Sequence, residues 1–189
     1  MRVAHTDNGD FAAKLELRRH FLRTYHQDEP IHVFDCCQGE GRIWKTLRSE
    51  FEVASYWGVD LKPKPGRMRV DSARVLATPG LRANVVDADT YGQPWTHWMA
   101  LLPNVKGAVS VFMTWGQMAL SAPHLPSLHA IGIPFKLPMS PWFGKSLRDL
   151  AIRAWIWRAE DFGLEVVDAR QIQNRRNGTA YFAARIRPR

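Results

Sequence analysis

The sequence predicts an α/β fold, a mostly parallel sheet with helices on both faces and an antiparallel hairpin at the C-terminus. Short apolar runs rich in β-forming residues alternate with segments of helical spacing, the order typical of α/β proteins. The first run, Ile31–Cys37, is mostly apolar and rich in β-forming residues, which suits a strand buried on both faces. The chain ends in two further runs separated by Asn177-Gly178, a residue pair that favours a hairpin turn.

The first half of the chain begins with a helix. Apolar residues recur at helical spacing over Asp10–Tyr25, and Pro30 follows its end. The first strand, Ile31–Cys37, leads into a turn with two glycines, and β-forming residues predict a second strand at Ala54–Leu61. Between the two strands, Arg42–Phe51 is predicted to be helical.

The middle of the chain continues the alternation of strands and helices. A short third strand is predicted at Met68–Asp71, and Pro79-Gly80 breaks the brief helix after it. Strands at Ala83–Asp87 and Ala108–Trp115 flank a helix at Pro94–Leu102.

The last third combines a long loop, a helix and the hairpin. Ser121–Gly144 contains five prolines and is predicted to be an irregular lid or binding loop. Lys145–Phe162 presents apolar residues on one face, and Gly163 ends this helix. Leu164–Ile172 and Thr179–Ile186 are the predicted hairpin strands.

Length and charge limit the class of protein. The 189 residues suit one domain, with residues 1–30 as an N-terminal helical extension and 121–144 as a Pro-rich insertion. The net charge of +8 favours a polyanionic partner, most simply nucleic acid. No apolar run suits a membrane span or a signal peptide, and the adjacent Cys36 and Cys37 cannot form a disulfide framework. We therefore expect a cytoplasmic protein with no membrane partner.

The residues after the first strand suit a ligand site. Ligands of such sheets bind beyond the carboxyl ends of the strands, near strand one. Asp35 ends that strand, and Gly39 and Gly41 permit close approach of the backbone to a ligand, although a tight strand-to-helix turn needs the same residues. A dinucleotide fingerprint requires a third glycine where Trp44 stands, which weakens an NAD-binding interpretation.

Acids at the next strand ends favour a nucleoside ligand in a Rossmann-like sheet. Asp60 lies nineteen residues after Gly41, where an acid accepts hydrogen bonds from ribose hydroxyls. Asp71 is placed either to bind the exocyclic amine of adenine or only to cap a helix. Asp87, at the end of the fourth strand, has a structural interpretation as well.

These motifs carry a family resemblance. Asp-x-x-x-Gly-x-Gly followed by two Val-Asp strand ends resembles the S-adenosylmethionine-binding half of class I methyltransferases, from about Ile31 to the final hairpin. Residues 87–94, Asp-Ala-Asp-Thr-Tyr-Gly-Gln-Pro, resemble the strand-four motif of amino-methyltransferases, above all the Asp-x-Asp-Pro-Phe-Gly-Ser-Pro of tRNA guanine N2-methyltransferases. Thr90 replaces the proline of that motif, and Cys37 stands where many relatives have a first glycine.

The resemblance implies S-adenosylmethionine as cofactor and assigns roles to the strand-end residues. The implied cofactor-binding residues are Asp35, Cys37, Gly39, Gly41, Asp60, Asp71 and Asp87. Asp89 and Tyr91 are implied to be catalytic. A carboxylate accepts the N–H groups of an amine and helps to localise its lone pair, while a tyrosine ring stacks on the base.

Other residues are candidates for contact with the substrate. They are Pro94, Trp115, Lys62, Lys64 and Arg67. Packing within a loop accounts for Trp115 equally well. The basic residues Lys62, Lys64 and Arg67 either bind phosphates or form only a solvated surface. The two cysteines are predicted to be small buried apolar side chains. No histidine has the spacing of a metal site, so we expect no bound metal.

The sequence thus predicts an S-adenosylmethionine-dependent methyltransferase acting on an amine of a nucleobase, in tRNA, DNA or another nucleic acid. One alternative is a methyltransferase of a small molecule or protein side chain. The other is a catalytically inactive module that binds the cofactor or nucleic acid, which Thr90 and the short segment between Asp60 and Asp71 allow.

Overall fold

The computed structural model describes residues 10–62, 68–90, 93–116, 153–174 and 179–189. The described helices are α1 (Phe11–Tyr25), α2 (Arg42–Leu47), α3 (Ser72–Leu76), α4 (Trp95–Leu101) and α5, described over 153–161. The strands are β1 (Ile31–Asp35), β2 (Val53–Asp60), β3 (Met68–Arg69), β4 (Val85–Ala88), β5 (Val109–Trp115), β6 (Leu164–Gln173) and β7 (Ala180–Pro188). The predicted loop Ser121–Gly144 and the Asn177-Gly178 turn lie outside these ranges.

The strands form one sheet in the order β3-β2-β1-β4-β5-β7-β6. β1 pairs in parallel with both β2 and β4, and β4 pairs in parallel with β5. β7 is antiparallel to both of its neighbours, β5 and β6. The predicted fold class is confirmed, and the strand order reverses at β1, where ligands of such sheets bind.

Helices cover both faces of the sheet. α1 and α2 pack on one face through a cluster that includes Phe21 and Trp44. α3, α4 and α5 pack on the other face, where Trp98 and Trp155 are buried. Every residue of β4 and β5 is buried, as expected for central strands covered on both sides. None of the described helices combines the length and apolarity needed to cross a membrane.

Several elements are shorter than predicted, for local physical reasons. The third strand ends at Arg69 because the Asp71 side chain accepts the N–H of Ala73 at 3.1 Å and caps α3. The fourth strand begins at Val85 instead of Ala83. The preceding residue, Asn84, uses its side-chain oxygen to accept the N–H of His32 at 2.8 Å.

Candidate functional site

The turn after β1 lies against the end of β2. Gly39 and Gly41 have φ of +52° and +65°, the left-handed region that glycine adopts without steric cost. The Asp60 carboxylate accepts the N–H of Gly39 at 3.0 Å and that of Lys62 at 2.9 Å. The structure therefore brings together three of the residues predicted to hold a cofactor.

Asp35, the last residue of β1, is buried beside β4. Tyr56 Oη donates to Asp35 Oδ2 at 2.8 Å, and the N–H of Cys37 donates to Oδ1 at 3.3 Å. Asp87 is the register partner of Asp35 in β4. Burial and, next, the charge of Asp87 raise the pKa of Asp35 to about 8, although the hydrogen bonds from Tyr56 and Cys37 act against the shift. Asp35 therefore carries a proton at neutral pH.

Asp87 forms a buried ion pair with the N-terminal helix. Arg18 Nε and Nη2 donate to Asp87 Oδ2 and Oδ1 at 2.7 and 2.6 Å, and both side chains are 2% exposed. Trp44 Nε1 donates to the same carboxylate at 2.8 Å. Bidentate pairing and the additional indole donor compensate for the burial of two charges. Asp87 therefore has a structural role, since it attaches α1 to the sheet.

Asp89 pairs with the same helix one turn earlier. Lys14 Nζ lies 2.8 and 2.6 Å from Asp89 Oδ1 and Oδ2, and 5.2 Å from the ring centre of Tyr181. Burial acts to raise the pKa of Asp89, but the charges of Lys14 and Arg18 and hydrogen bonds from Lys14 and Thr114 outweigh it and lower the pKa. With 17% of its side chain exposed, Asp89 is an ionised carboxylate at the carboxyl edge of the sheet.

The segment after Asp89 departs from the motif it resembles. The N–H of Thr90 donates to the carbonyl of Ala88 at 2.7 Å, a bond that a proline at this position cannot make. Thr90 itself is buried. Pro94 is buried at the start of α4. Tyr91, the other residue predicted to be catalytic, falls outside the described ranges.

Two more predicted site residues have evident structural roles. Trp115 is 3% exposed and packs edge-to-face against Trp95, with ring centres 5.5 Å apart. Asp71 is the N-cap of α3 and keeps 45% of its side chain exposed. Packing and capping account for these two positions, and their predicted binding roles stay predictions.

Part of the basic surface is described at the same edge. Lys62 is exposed after β2, whereas Lys64 and Arg67 belong to a segment that the structure does not describe. Arg42, at the start of α2, and Arg69, at the end of β3, are also exposed. The carboxyl edge thus carries cations as well as the buried acids.

The two cysteines are poorly suited to nucleophilic chemistry. Burial raises the pKa of the Cys36 thiol, as does its proximity to Cys37, and burial followed by the charge of Asp35 raises that of Cys37. The thiolate is the reactive form of cysteine, and both thiols therefore stay protonated. Across the described ranges, no group of three or more His, Cys, Asp or Glu residues has the arrangement of a metal site.

Sequence reasoning did not identify the partners of the strand-end acids. These partners are Lys14, Arg18, Trp44, Tyr56 and Tyr181. One signal was available for two of them, because Lys14 and Arg18 share the buried stripe of α1 with Phe21 and Leu22. Two cations four residues apart within an apolar stripe indicate buried acidic partners.

The fold can be identified from three features taken together. They are the strand order, the glycine turn after β1 and the acids at the ends of β1, β2 and β4. It is the fold of the class I S-adenosylmethionine-dependent methyltransferases.

Three of the solved structures that this chain resembles contain S-adenosyl-L-methionine, AdoMet or SAH. Trm1 from Pyrococcus horikoshii, in complex with S-adenosyl-L-methionine, matches with a TM-score of 0.67 and 12% identity over 100% of this chain and 58% of that one. M. jannaschii TYW2 in complex with AdoMet matches with a TM-score of 0.56 and 12% identity over 94% and 77% of the two chains. The magnesium protoporphyrin IX methyltransferase ChlM from Synechocystis PCC 6803, with bound SAH, matches with a TM-score of 0.55 and 13% identity over 99% and 89%.

These likenesses establish the fold alone, because the identities are low. The chain spans little more than half of the Trm1 structure, 58%. No protein-family model matches the sequence. No curated protein sequence matches it either.

Proposed function

We propose that this protein is an S-adenosylmethionine-dependent methyltransferase whose acceptor is an amine, on a nucleobase of tRNA or another nucleic acid. The observation that carries the proposal is the ionised, partly exposed carboxylate of Asp89 at the end of β4, in a methyltransferase fold. The acceptor class rests on that carboxylate and on the strand-four motif around it.

The neighbouring strand ends suit the cofactor. A Cβ atom on Gly41 would lie in ordinary van der Waals contact with Gln38 Nε2, at 3.8 Å, so the backbone of the turn is not crowded at this position. Asp60 is partly exposed, and each carboxylate oxygen can accept more than one hydrogen bond, so it suits ribose hydroxyls. When bound, S-adenosylmethionine supplies an electrophilic methyl group on a sulfonium.

Asp89 addresses the main chemical difficulty with an amine acceptor. The lone pair of an exocyclic amine is delocalised into the base, which makes the nitrogen a poor nucleophile. By accepting an N–H bond, Asp89 orients the amine and helps to localise the lone pair, and positioning of the reactants contributes much of the rate. The methylated nitrogen becomes acidic, and the same carboxylate then takes its proton or passes it to water.

The charge of the molecule favours a nucleic acid as the carrier of the amine. The net charge is +8, and exposed Arg42, Lys62 and Arg69 stand at the edge where the acids converge. Cations so placed suit the phosphates that flank a target base.

The decisive experiment follows methyl transfer from radiolabelled S-adenosylmethionine to tRNA, DNA and cell extract. We expect label in nucleic acid, and we expect Asp89→Asn to lower the rate by about 10²-fold or more while cofactor affinity changes little. Asp161→Asn, at an exposed position paired with Arg158, is the matched control and should keep full activity.

The same assay separates the alternatives. Transfer to nucleic acid should weaken steeply as salt rises, because phosphate contacts release counterions. Label only in a small-molecule or protein fraction, insensitive to salt, identifies a different substrate class. Cofactor binding without label in any fraction contradicts the proposed activity and indicates a non-catalytic module.

A further inference from the structure

We infer that Lys14 is a positioning residue for Asp89: it orients the carboxylate through both oxygens and supplies its counter-charge. The inference rests on the proposed role of Asp89 as the acceptor of the substrate N–H. Lys14 lies in the N-terminal helix, 75 residues before Asp89 and outside the segments that resemble methyltransferase motifs.

The geometry fixes the direction in which Asp89 faces. One ammonium group donates to both carboxylate oxygens, at 2.8 and 2.6 Å, and therefore restricts rotation of the carboxylate. A carboxylate has about four lone-pair sites, of which Lys14 occupies two and the hydrogen bond from Thr114 a third. The Asp89 side chain is 17% exposed and that of Lys14 is 7% exposed, so Asp89 is the member of the pair that is more open to a substrate.

Lys14 is itself held in place by Arg18. Arg18 Nη1 donates to the Lys14 carbonyl at 3.0 Å, while the rest of the guanidinium is paired with Asp87. The Lys14 ammonium also lies over the ring of Tyr181, 5.2 Å from its centre. α1 therefore cannot turn about its axis without breaking the buried Arg18–Asp87 pair.

The charges around Asp89 are balanced only when Lys14 is present. The polar groups that face this cluster are Lys14 and Arg18 from α1, Asp35 and Cys37 from the end of β1, Asp87 from β4, Thr114 from β5 and Tyr181 from β7. With Asp35 protonated, the cluster has two cations and two carboxylates. Since Arg18 is bound to Asp87, removal of Lys14 leaves Asp89 without a direct counter-ion among the residues that the structure describes.

A carboxyl titration tests this charge role without any need for activity. The Asp89 ¹³C carboxyl signal, assigned with Asp89→Asn, is followed against pH in the wild type, Lys14→Met and Lys14→Arg. We expect the Asp89 pKa to rise by about 1–3 pH units in Lys14→Met, because a direct opposite charge lowers a carboxyl pKa by that amount. Lys14→Arg should keep the pKa near that of the wild type, since arginine retains the charge and binds carboxylates bidentately.

Two further variants serve as a substitute and a control in the titration. Lys14→Gln removes the charge but can still donate a hydrogen bond, and it replaces Lys14→Met if that variant does not fold. Lys106→Met removes an exposed lysine before β5 and should leave the Asp89 titration unchanged. An Asp89 pKa that is the same in wild type, Lys14→Met and Lys14→Gln overturns the inference.

A pH–rate profile then tests the link to methyl transfer. In an active wild type, the acid limb of kcat/KM should move upward by about the NMR shift in Lys14→Met and return in Lys14→Arg. An acid limb that stays in place, despite a shifted Asp89 pKa, overturns the positioning role. Absence of transfer by the wild type contradicts the proposed function instead, and the NMR titration still decides whether Lys14 controls Asp89.

Discussion

Replacement of Arg18 by methionine should be among the most destabilising single substitutions in this protein. Arg18 and Asp87 are each 2% exposed in their side chains and share two hydrogen bonds of 2.7 and 2.6 Å. Methionine preserves much of the apolar stem but, within the described part of the chain, leaves the Asp87 carboxylate with only the Trp44 indole as a direct side-chain donor. Loss of one member of a buried ion pair costs about 3–5 kcal/mol, a large part of the usual 5–15 kcal/mol of a domain.

Urea denaturation of a double-mutant cycle measures this effect. We expect Arg18→Met to lose about 3–5 kcal/mol. Asp87→Asn, combined with it, should restore part of that loss, because the amide is neutral and its oxygen still accepts from Trp44. The interaction energy should lie near the upper end of the range of about 0.5–3 kcal/mol found for contacting residues.

The neighbouring Arg19 provides the matched control. Its partners Glu16 and Glu50 lie at the surface, so Arg19→Met should have a much smaller effect. Should Arg18→Met be too unstable to purify, recovery of folded protein on adding Asp87→Asn tests the same reasoning. Additive effects of the two substitutions, with a loss below about 1 kcal/mol for Arg18→Met, would refute a strong buried pair.

Two other predictions concern Asp35, at the end of β1, and Gly58, its register partner in β2. Because the Asp35 pKa is about 8 and its ordinary value is 3.8, unfolding releases a proton, and stability falls as pH rises towards 8. From pH 6.5 to 8 the unfolding free energy should fall by up to about 1.4 kcal/mol per pH unit. Asp35→Asn should flatten this slope, and parallel urea titrations of the two proteins would contradict the prediction. Gly58→Ala should cost about 1–3 kcal/mol, since its Cβ would lie 2.7 Å from Tyr56 Oη and 2.8 Å from Gln38 Cδ. Gly107→Ala, which meets nothing within 4 Å, should be near neutral in thermal denaturation, and equal losses would show that the Gly58 site is not tight.

The sheet could be predicted from the sequence because its strands are local features. β4 and β5 are buried throughout, so their apolar runs stand out from the amphipathic segments around them. Gly39 and Gly41 were recognisable as turn residues, and both have positive φ. The third strand was predicted too long because its last residue, Asp71, serves α3 as a cap, a competition that apolar patterning does not show.

The partners of the site could not be predicted in the same way, because they depend on contacts between distant parts of the chain. Arg18 and Asp87 are 69 residues apart, and Lys14 and Asp89 are 75 apart. Local patterning places Lys14 and Arg18 in the apolar stripe of α1, but only the packing of α1 on the sheet decides which acids they pair with. The acids were visible as strand-end residues, whereas their charge states follow from tertiary structure.

The N-terminal helix has two connected roles that together explain its composition. Its apolar residues cover one face of the sheet, and Lys14 and Arg18 extend from the same face to the carboxyl edge. A site of this fold concentrates acids at that edge, and those acids repel one another once they are buried. Asp35 is protonated, which removes its charge, while Asp89 and Asp87 form ion pairs with Lys14 and Arg18 of α1. The helix thus leaves Asp89 ionised and 17% exposed while Asp87 is buried beside it, and substitutions of Lys14 or Arg18 should raise the pKa of Asp89 as well as lower the stability of the fold.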